Sequence, residues 1–407
     1  MRLLRGIRAD GALTLHEHVA AHGPLPALGA RSSDALLDLI ERSGLRGHGG
    51  AHAPAGMKLR AVAGRKRPIV VANGAESEPA SGKDAVLLSH TPHLVIDGAV
   101  VAAAAAGARE AILYVKPGQA YDDAEAALAE REGRDHVALS LVEAPRSYVA
   151  GQETAAIEHL NGRPALPKTV PPRPFERGVD RRPTVVFNVE TLAHMALIAR
   201  HGVDWFRSAG SHLQPGTALV TVSGAVERPG VYEIAFGTAL GEVVAGAGAG
   251  GSEAPRAVLL GGYGGAWAGA GKLDARLQDG ELDLGAGVVG VLGRGSCGVL
   301  ETSRILDYLA AETAGQCGPC VHGLHAIAGT FAAVADGTAD HAAAARLHRW
   351  AAQVTGRGAC RHPDGAARLV NSALRVFAKE IRQHEHGRCT GDGAPVLPVP
   401  VVAGGVR

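Results

Sequence analysis

The chain predicts an α/β domain in its first half, a small α+β module after it, and a helical bundle towards its end. Three observations carry this. Short apolar runs alternate with helical patterns up to about residue 201. Gly-rich, strand-like stretches then run to about residue 295. From Glu301 onward, apolar residues recur at helix spacing. A chain of 407 residues is too long for one ordinary core, so two or three domains are expected.

Residues 33–42 read as an amphipathic helix, with Leu36, Leu37 and Ile40 on one face. The Gly-rich run 44–51 follows. Residues 68–73 form a short apolar run that predicts a buried strand, because strands covered on both faces lose their polar alternation. Helices are predicted at 91–108 and 120–132, and strands at 110–115 and 137–142. Segment 163–183 is rich in Pro and Arg and cannot be regular helix, so an extended surface segment is expected. A strand at 185–188 and a helix at 190–201 close the first domain. The character changes near Gly210, and 218–231 is strand-like with Pro229-Gly230 as turn chemistry. Further on, Leu324, Ile327, Phe331 and Val334, then Val370, Leu374, Phe377 and Ile381, predict a bundle of about four helices. The tail after Arg388 is Gly- and Pro-rich and is expected to be poorly ordered.

Composition excludes several classes. Aromatics are only 4% against 46% hydrophobic residues, so the cores rest on Ala, Val and Leu. A net charge of +1 builds no field that would gather nucleic acid or anionic lipid. Arg2 and Arg5 are followed by no long apolar run, so no secretory signal is expected. The stretch 99–108 is too short and Ala-rich to span a bilayer and reads as a buried helix. The five cysteines are an odd count, which argues for metal binding or core packing over a disulfide framework.

Four segments could carry chemistry. The glycines of 44–50 could bring backbone N–H groups to a phosphate, with Lys58 close behind, or they could be a plain loop. Asn73-Gly74-Ala75-Glu76-Ser77-Glu78-Pro79 ends a strand, where α/β sheets bind ligands. Asn73 offers donor and acceptor to a heteroaromatic ring, and Glu76 or Glu78 could accept from a ring N–H or a ribose hydroxyl. A solvated acidic turn is the alternative. Gly151-Gln152-Glu153-Thr154 opens a helix and could be ordinary capping. Cys317 and Cys320 form a C-x-x-C pair between helical patterns, and Cys360 lies between two later helices. Three such thiolates suit an iron–sulfur cluster or zinc, and a redox disulfide is the alternative. Cys297 reads as a packing cysteine. Cys389, beside His384 and His386, reads as free or as an extra ligand.

Together and in this order, these segments resemble the NADH-binding flavoprotein subunit of respiratory complex I and its hydrogenase and formate-dehydrogenase relatives, over residues 30–385. Residues 44–54 resemble the flavin loop G-L-R-G-R-G-G-A-G-F-P, and 73–79 resemble N-A-D-E-x-E-P. Residues 151–154 resemble G-E-E-T, and 183–192 resemble P-T-x-V-N-N-V-E-T-L. Residues 223–233 resemble the soluble-ligand-binding β-grasp module. Residues 312–320 resemble the cysteine motif, and Cys360 matches the fourth cluster cysteine.

The resemblance implies an FMN-binding α/β domain over 1–209, an SLBB-like β-grasp domain over 210–297 and a helical iron–sulfur bundle over 298–387, and composition adds a disordered tail over 388–407. It implies FMN against Gly47, Gly49, Gly50, Lys58, Asn73, Glu76, Glu78, Glu153 and Asn188, and a [4Fe–4S] cluster on Cys317, Cys320 and Cys360. The departures matter as much. The Phe residues that stack on the nucleotide are Ala53 and Ala61, and the Lys and Phe of K-P-P-F-P are Val170 and Arg173. These changes argue against tight binding of NAD(H). In the flavin motifs, Ala75, Gln152 and Phe187 replace Asp, Glu and Asn. Ala314 replaces the first cluster cysteine, leaving His322, Cys389, water or nothing as the fourth ligand.

Three functions follow, in this order. The first is an electron-transfer subunit passing electrons between FMN and the cluster, working with a ferredoxin-like or membrane redox partner. The second is an active NADH:acceptor oxidoreductase subunit with an altered nucleotide site. The third is a cofactor-free scaffold that binds a partner. A cytoplasmic location is expected, peripheral to the inner face of the membrane through a partner.

Overall fold

A computed structural model describes residues 1–8, 11–28, 32–249, 255–389, 391 and 393–401. The chain forms two compact units. The first comprises Met1–Ser77, Gly82–Leu219 and Glu233–Gly237, and the second Glu78–Ser81, Val220–Tyr232 and Thr238–Arg407.

The first unit contains α1 (Leu15–His22), α2 (Ser33–Ser43), α3 (Ala55–Arg60), β1 (Ile69–Gly74), α4 (Lys83–His90), α5 (Pro92–Ala106), β2 (Glu110–Val115), α6 (Gln119–Glu130), β3 (Ala138–Glu143), α7 (Glu153–Leu160), β4 (Thr184–Asn188) and α8 (Val189–Arg207). The four strands form a parallel sheet in the order β3-β2-β1-β4. The chain adds β2 and β3 on one side of β1, then returns to place β4 on the other. That reversal is a topological switch point, where open α/β sheets leave a crevice at the strand carboxyl ends. The register sets Asn73 opposite Asn188 at those ends.

β1 and β2 are buried almost throughout, as the apolar runs predict. On one side, Ile69, Val71, Ile112, Tyr114 and Val186 share a core with Ala156 and Ile157 of α7. α5 is apolar nearly all round and buried nearly all round, so it is a core helix rather than a surface one. Pro92 starts it, where a missing N–H costs nothing, and Gly107 ends it in the left-handed region. At Gly98 it meets α8 so closely that a Cβ would stand 1.9 Å from the Leu192 carbonyl oxygen. The helix predicted at 190–201 runs to Arg207 through a break at Gly202 (φ 85°). α4 was not foreseen from sequence. Segment 163–183 is irregular apart from a single 3-10 turn, Val179–Arg181, and holds cis peptides before Pro171 and Pro172.

The second unit holds most of a five-stranded sheet in the order β6-β5-β9-β7-β8, from β5 (Thr217–Gly224), β6 (Gly230–Ala235), β7 (Ala257–Leu260), β8 (Ala266–Gly269) and β9 (Val288–Leu292), with α9 (Leu240–Gly246) between β6 and β7. β5 and β9 pair in parallel, while β7 pairs antiparallel with both neighbours. The helical bundle follows as α10 (Gly298–Ala311), a π-helical turn (Pro319–Leu324), α11 (His325–Ala335), α12 (Ala343–Val354), α13 (His362–Val376) and α14 (Ala378–His384). Leu309, Ile327, Phe331, Leu347, Leu369 and Val370 fill its core. The bundle joins the sheet through Trp267, whose backbone N–H donates to Ser372 Oγ at 2.9 Å and whose ring meets Phe377 edge-on at 5.1 Å.

The tail expected to be poorly ordered is partly described. Leu397 is buried, and the Val396 and Leu397 N–H groups donate to the Glu301 carboxylate at 2.9 and 3.3 Å. Residues 402–407 of that tail lie outside the described residues. Among the described residues no single helix is long and apolar enough to cross a membrane.

Candidate flavin and iron–sulfur sites

The Gly-rich loop lies between α2 and α3. Gly44 in the left-handed region (φ 75°) ends α2, and the Gly47 N–H donates to the Ala53 carbonyl at 2.9 Å, closing the loop. Gly49, Gly50 and Ala51 form its exposed crest. A Cβ on Gly49 would stand 3.4 Å from Asn188 Cβ, so the crest lies over the end of β4. His48 anchors the loop: its N–H donates to Thr191 Oγ1 at 2.9 Å, and its ring packs 4.8 Å from His194 and 5.7 Å from Phe236. Burial, with Lys83 nearby, pushes its pKa down to about 3, so it is a neutral packing ring.

Lys58 reaches from α3 to the sheet. Its ammonium donates to Glu153 Oε1 at 2.9 Å and to the Val186 carbonyl at 2.7 Å, and passes 5.5 Å from the Phe187 ring centre. Asn73 donates to the Gly151 carbonyl at 2.7 Å and accepts from the Ala75 N–H at 3.2 Å. The Gly151 N–H donates to Ser77 Oγ at 3.0 Å. These bonds clip the segment before α7 to the end of β1. Gln152 caps α7, accepting from the Thr154 and Ala155 N–H groups at 2.8 and 2.9 Å.

Lys83 and Asp84 were missed from sequence. Lys83 Nζ lies 2.6 Å from Asp84 Oδ1 and 3.1 Å from Glu190 Oε2, and donates to Asn188 Oδ1 at 3.1 Å. Asn188 donates in turn to Asp84 Oδ2 at 2.6 Å and caps α8 through the Glu190 N–H at 3.0 Å. Burial opposes the Lys83 charge, but Asp84, Glu190 and Glu76 outweigh it and hold its pKa above the ordinary value. Burial raises Asp84 despite Lys83 beside it. Glu76 accepts from the Asp84 and Ala85 N–H groups at 3.3 Å each, at the start of α4. A buried Lys-Asp at a helix start looks like any solvated pair in sequence. The signal would have been its position, at the start of a helix that follows an Asn-ended strand.

The first unit thus gathers Gly47, Gly49, Gly50, Lys58, Asn73, Glu76, Glu153 and Asn188 around the carboxyl ends of β1 and β4. Glu78 belongs to the second unit, where it is buried and its Oε2 accepts from the Tyr263 N–H at 2.9 Å. The donor set fits a phosphorylated flavin: an exposed Gly crest and a half-exposed ammonium for the phosphate, and amide and carboxylate groups for a heteroaromatic edge.

In the second unit, Cys317 and Cys320 flank the start of the π-helical turn, and Cys360 stands just before α13. The Cys320 N–H donates to the Cys317 carbonyl at 3.0 Å. Burial pushes the Cys320 thiol up to about 12, with Cys317 and Cys360 close enough to add to it. Burial also raises Cys360, with Cys317 adding. Burial opposes ionisation of Cys317 too, but N–H groups of Ala359 and Cys320 aimed at its sulfur lower its pKa. The three thiols, brought from two segments, are therefore neighbours. The Ala314 N–H is directed at Cys320, so position 314 lies against this group. His322 is exposed on the same turn. Cys389 has its neighbours elsewhere, at Cys297 and His384. Three neighbouring thiols are a chemically suitable donor set for an iron–sulfur cluster.

Comparison with known proteins finds a family for each region that carries these sites. The Nuo51 FMN-binding domain family matches residues 40–197, the SLBB domain family 219–265, and the NADH-ubiquinone oxidoreductase-F iron–sulfur binding region 301–384. Fold and sites define a chain that couples a flavin-binding α/β domain to an iron–sulfur-binding helical bundle.

An NADH-quinone oxidoreductase F subunit of Rhizobium meliloti is 32% identical over 387 residues, 89% of this chain and 92% of that protein. The corresponding protein of Streptomyces coelicolor is 32% identical over 404 residues, 92% of this chain and 87% of that protein. The chain belongs to this family, the F subunits of NADH-quinone oxidoreductase. A crystal structure of an air-oxidised NAD⁺-reducing [NiFe]-hydrogenase matches with a TM-score of 0.82 and 32% identity, over 89% of this chain. The chain spans 65% of that hydrogenase chain.

Proposed function

We propose that the chain is an electron-transfer subunit of a complex I-like or hydrogenase-like oxidoreductase, passing electrons between FMN and a [4Fe–4S] cluster. FMN would lie against Gly47, Gly49, Gly50, Lys58, Asn73, Glu76, Glu153 and Asn188. The cluster would be held by Cys317, Cys320 and Cys360, with one iron left to a non-cysteine ligand. FMN exchanges electrons in pairs with a hydride donor and singly with a cluster, so the chemistry is the cofactors' own. The protein's part is position and electrostatics. Lys58 offers charge to a phosphate, and the Lys83–Asp84–Asn188–Glu190 knot fixes the β4 end against the loop.

The observation that carries this reading is the pairing of Asn73 with Asn188 at the switch point, under the exposed Gly crest and beside Lys58. NADH is not expected to bind tightly. Ala53 and Ala61 offer no ring to stack on, Val170 offers no charge, and Arg173 is an exposed guanidinium in place of the third ring. Base stacking is worth about 1–3 kcal/mol per base in nucleic-acid sites, so losing three such contacts is a large fraction of a nucleotide's affinity. The chain would then work with a ferredoxin-like or membrane redox partner at the cytoplasmic face. The relatives are themselves named as subunits, which supports such an assembly. Domain limits at 209/210 and 297/298 follow the same reading.

Anaerobic purification with a visible spectrum, flavin extraction and iron counting tests it. FMN and iron should co-purify with the chain, dithionite should bleach the flavin, and millimolar NADH should not. A colourless protein after cluster reconstitution and flavin addition would overturn the proposal in favour of a scaffold. Rapid bleaching by NADH would instead make the chain an active NADH dehydrogenase subunit.

A further inference from the structure

Away from the cluster cysteines, the second unit brings two thiols and an imidazole together from two distant stretches of chain. Cys297 caps α10, with the Leu300 N–H 3.5 Å from its sulfur. His384 ends α14, and Cys389 follows it. Cys297 Sγ lies 3.2 Å from His384 Nε2, and the ligand atoms of all three residues lie within 4.8 Å of one another. Cys297 and His384 are buried, while Cys389 is exposed.

Two further observations point to a built site. His384 Nδ1 lies 2.6 Å from the Ala335 carbonyl. A carbonyl only accepts, so Nδ1 carries the hydrogen, and a neutral ring then turns the Nε2 lone pair toward the thiols. That is how metal-binding histidines are oriented. The chain path also fixes Cys389. At Gly391 the backbone passes so close to the α10 entrance that a Cβ would stand 2.7 Å from both the Cys297 nitrogen and the Gly295 carbonyl oxygen. Beyond it, Glu301 holds Val396 and Leu397.

We propose that Cys297, His384 and Cys389 form a zinc site, separate from the cluster, that ties the chain's tail to the start of α10. Zinc takes tetrahedral sulfur and nitrogen ligands at about 2.0–2.3 Å, which sets ligand atoms about 3.5–3.8 Å apart. The observed separations need only small adjustments to reach that geometry. The exposed Cys389 side leaves the fourth position to water. Cys389, engaged here, is then not the cluster's missing ligand.

The test uses the reduced full-length chain with its cluster reconstituted, titrated with zinc and read by metal analysis and zinc-edge X-ray absorption. One zinc per chain is expected, with a shell of two sulfurs and one imidazole nitrogen. Cys389→Ser and Cys389→Ala, both at an exposed position, should weaken zinc binding by more than roughly tenfold while leaving iron content unchanged. The chain refusing zinc after reduction, zinc held equally well by both variants, or a three-sulfur shell would overturn the proposal. So would a loss of iron in the variants, which would move Cys389 to the cluster.

Discussion

Lys83 shows what a single side chain does in the flavin domain. It is a buried cation facing two buried carboxylates, Asp84 and Glu190, with Asn188 as a further acceptor. Removing it leaves two carboxylates without their counter-charge at the ends of β4 and α4. Lys83→Met should cost about 3–5 kcal/mol of stability, read from the urea midpoint, because breaking one side of a buried pair strands the other. Ala314 makes the opposite kind of prediction. Its N–H is directed at Cys320, so a thiol placed there would reach the three-cysteine group. Ala314→Cys should raise iron per chain after reconstitution and slow the decay of the cluster's visible absorbance in air, since a fourth thiolate replaces a labile ligand. Unchanged iron content and decay would remove position 314 from the cluster.

Among the elements, the α5–α8 contact sets the tightest packing demand. Gly98 lies against backbone, which cannot rotate aside, so Gly98→Ala should force the two helices apart and cost about 3 kcal/mol. Gly329 on α11 has nothing within 4 Å of its Cβ position, so Gly329→Ala should stabilise the bundle by up to about 1 kcal/mol. Equal effects at both positions in urea melts would contradict this packing account. The same contrast explains what sequence could tell. β1, β2 and α5 were legible because burial on all sides forces apolar runs. The Gly crest and the C-x-x-C pair stood out by their spacing, but spacing left a plain loop or a redox disulfide open, and only the order of the motifs, through the family resemblance, pointed to their chemistry. α4 was not, because it is only eight residues long, opens on a Lys-Asp pair and gathers its apolar residues in one run, Ala85 to Leu88, that shows no helical repeat. The Cys297–His384–Cys389 group was not legible either. Its members are brought together by the turn of the tail back to α10, and no local pattern encodes that.

Across the whole molecule, buried histidines set an acid limit. Burial, aided by nearby positive groups, lowers His48 and His194 to about 3, and His22 and His93 to about 4. The unfolded chain takes up protons at these rings below about pH 6.5, whereas the folded chain does not until pH is far lower. Stability should therefore fall as pH drops from about 6.5 to about 4. Each of the fully buried rings, His48 and His194, adds about 1.4 kcal/mol per pH unit to the slope. Thermal midpoints measured across that range should decline steeply. His194→Leu should flatten the decline, and a midpoint that does not depend on pH would contradict the neutral assignment.

The first unit is completed by Glu233–Gly237, a return visit made after the chain has already begun the second unit. On that return Glu233 accepts from the Arg2 and Leu3 N–H groups, and from Thr217 Oγ1 at 2.8 Å. A gene cut after residue 209 would therefore encode a flavin domain whose amino terminus has lost its clasp. Separating the two halves of this protein takes an edited chain that carries the short returning strand along, not a single scissor point.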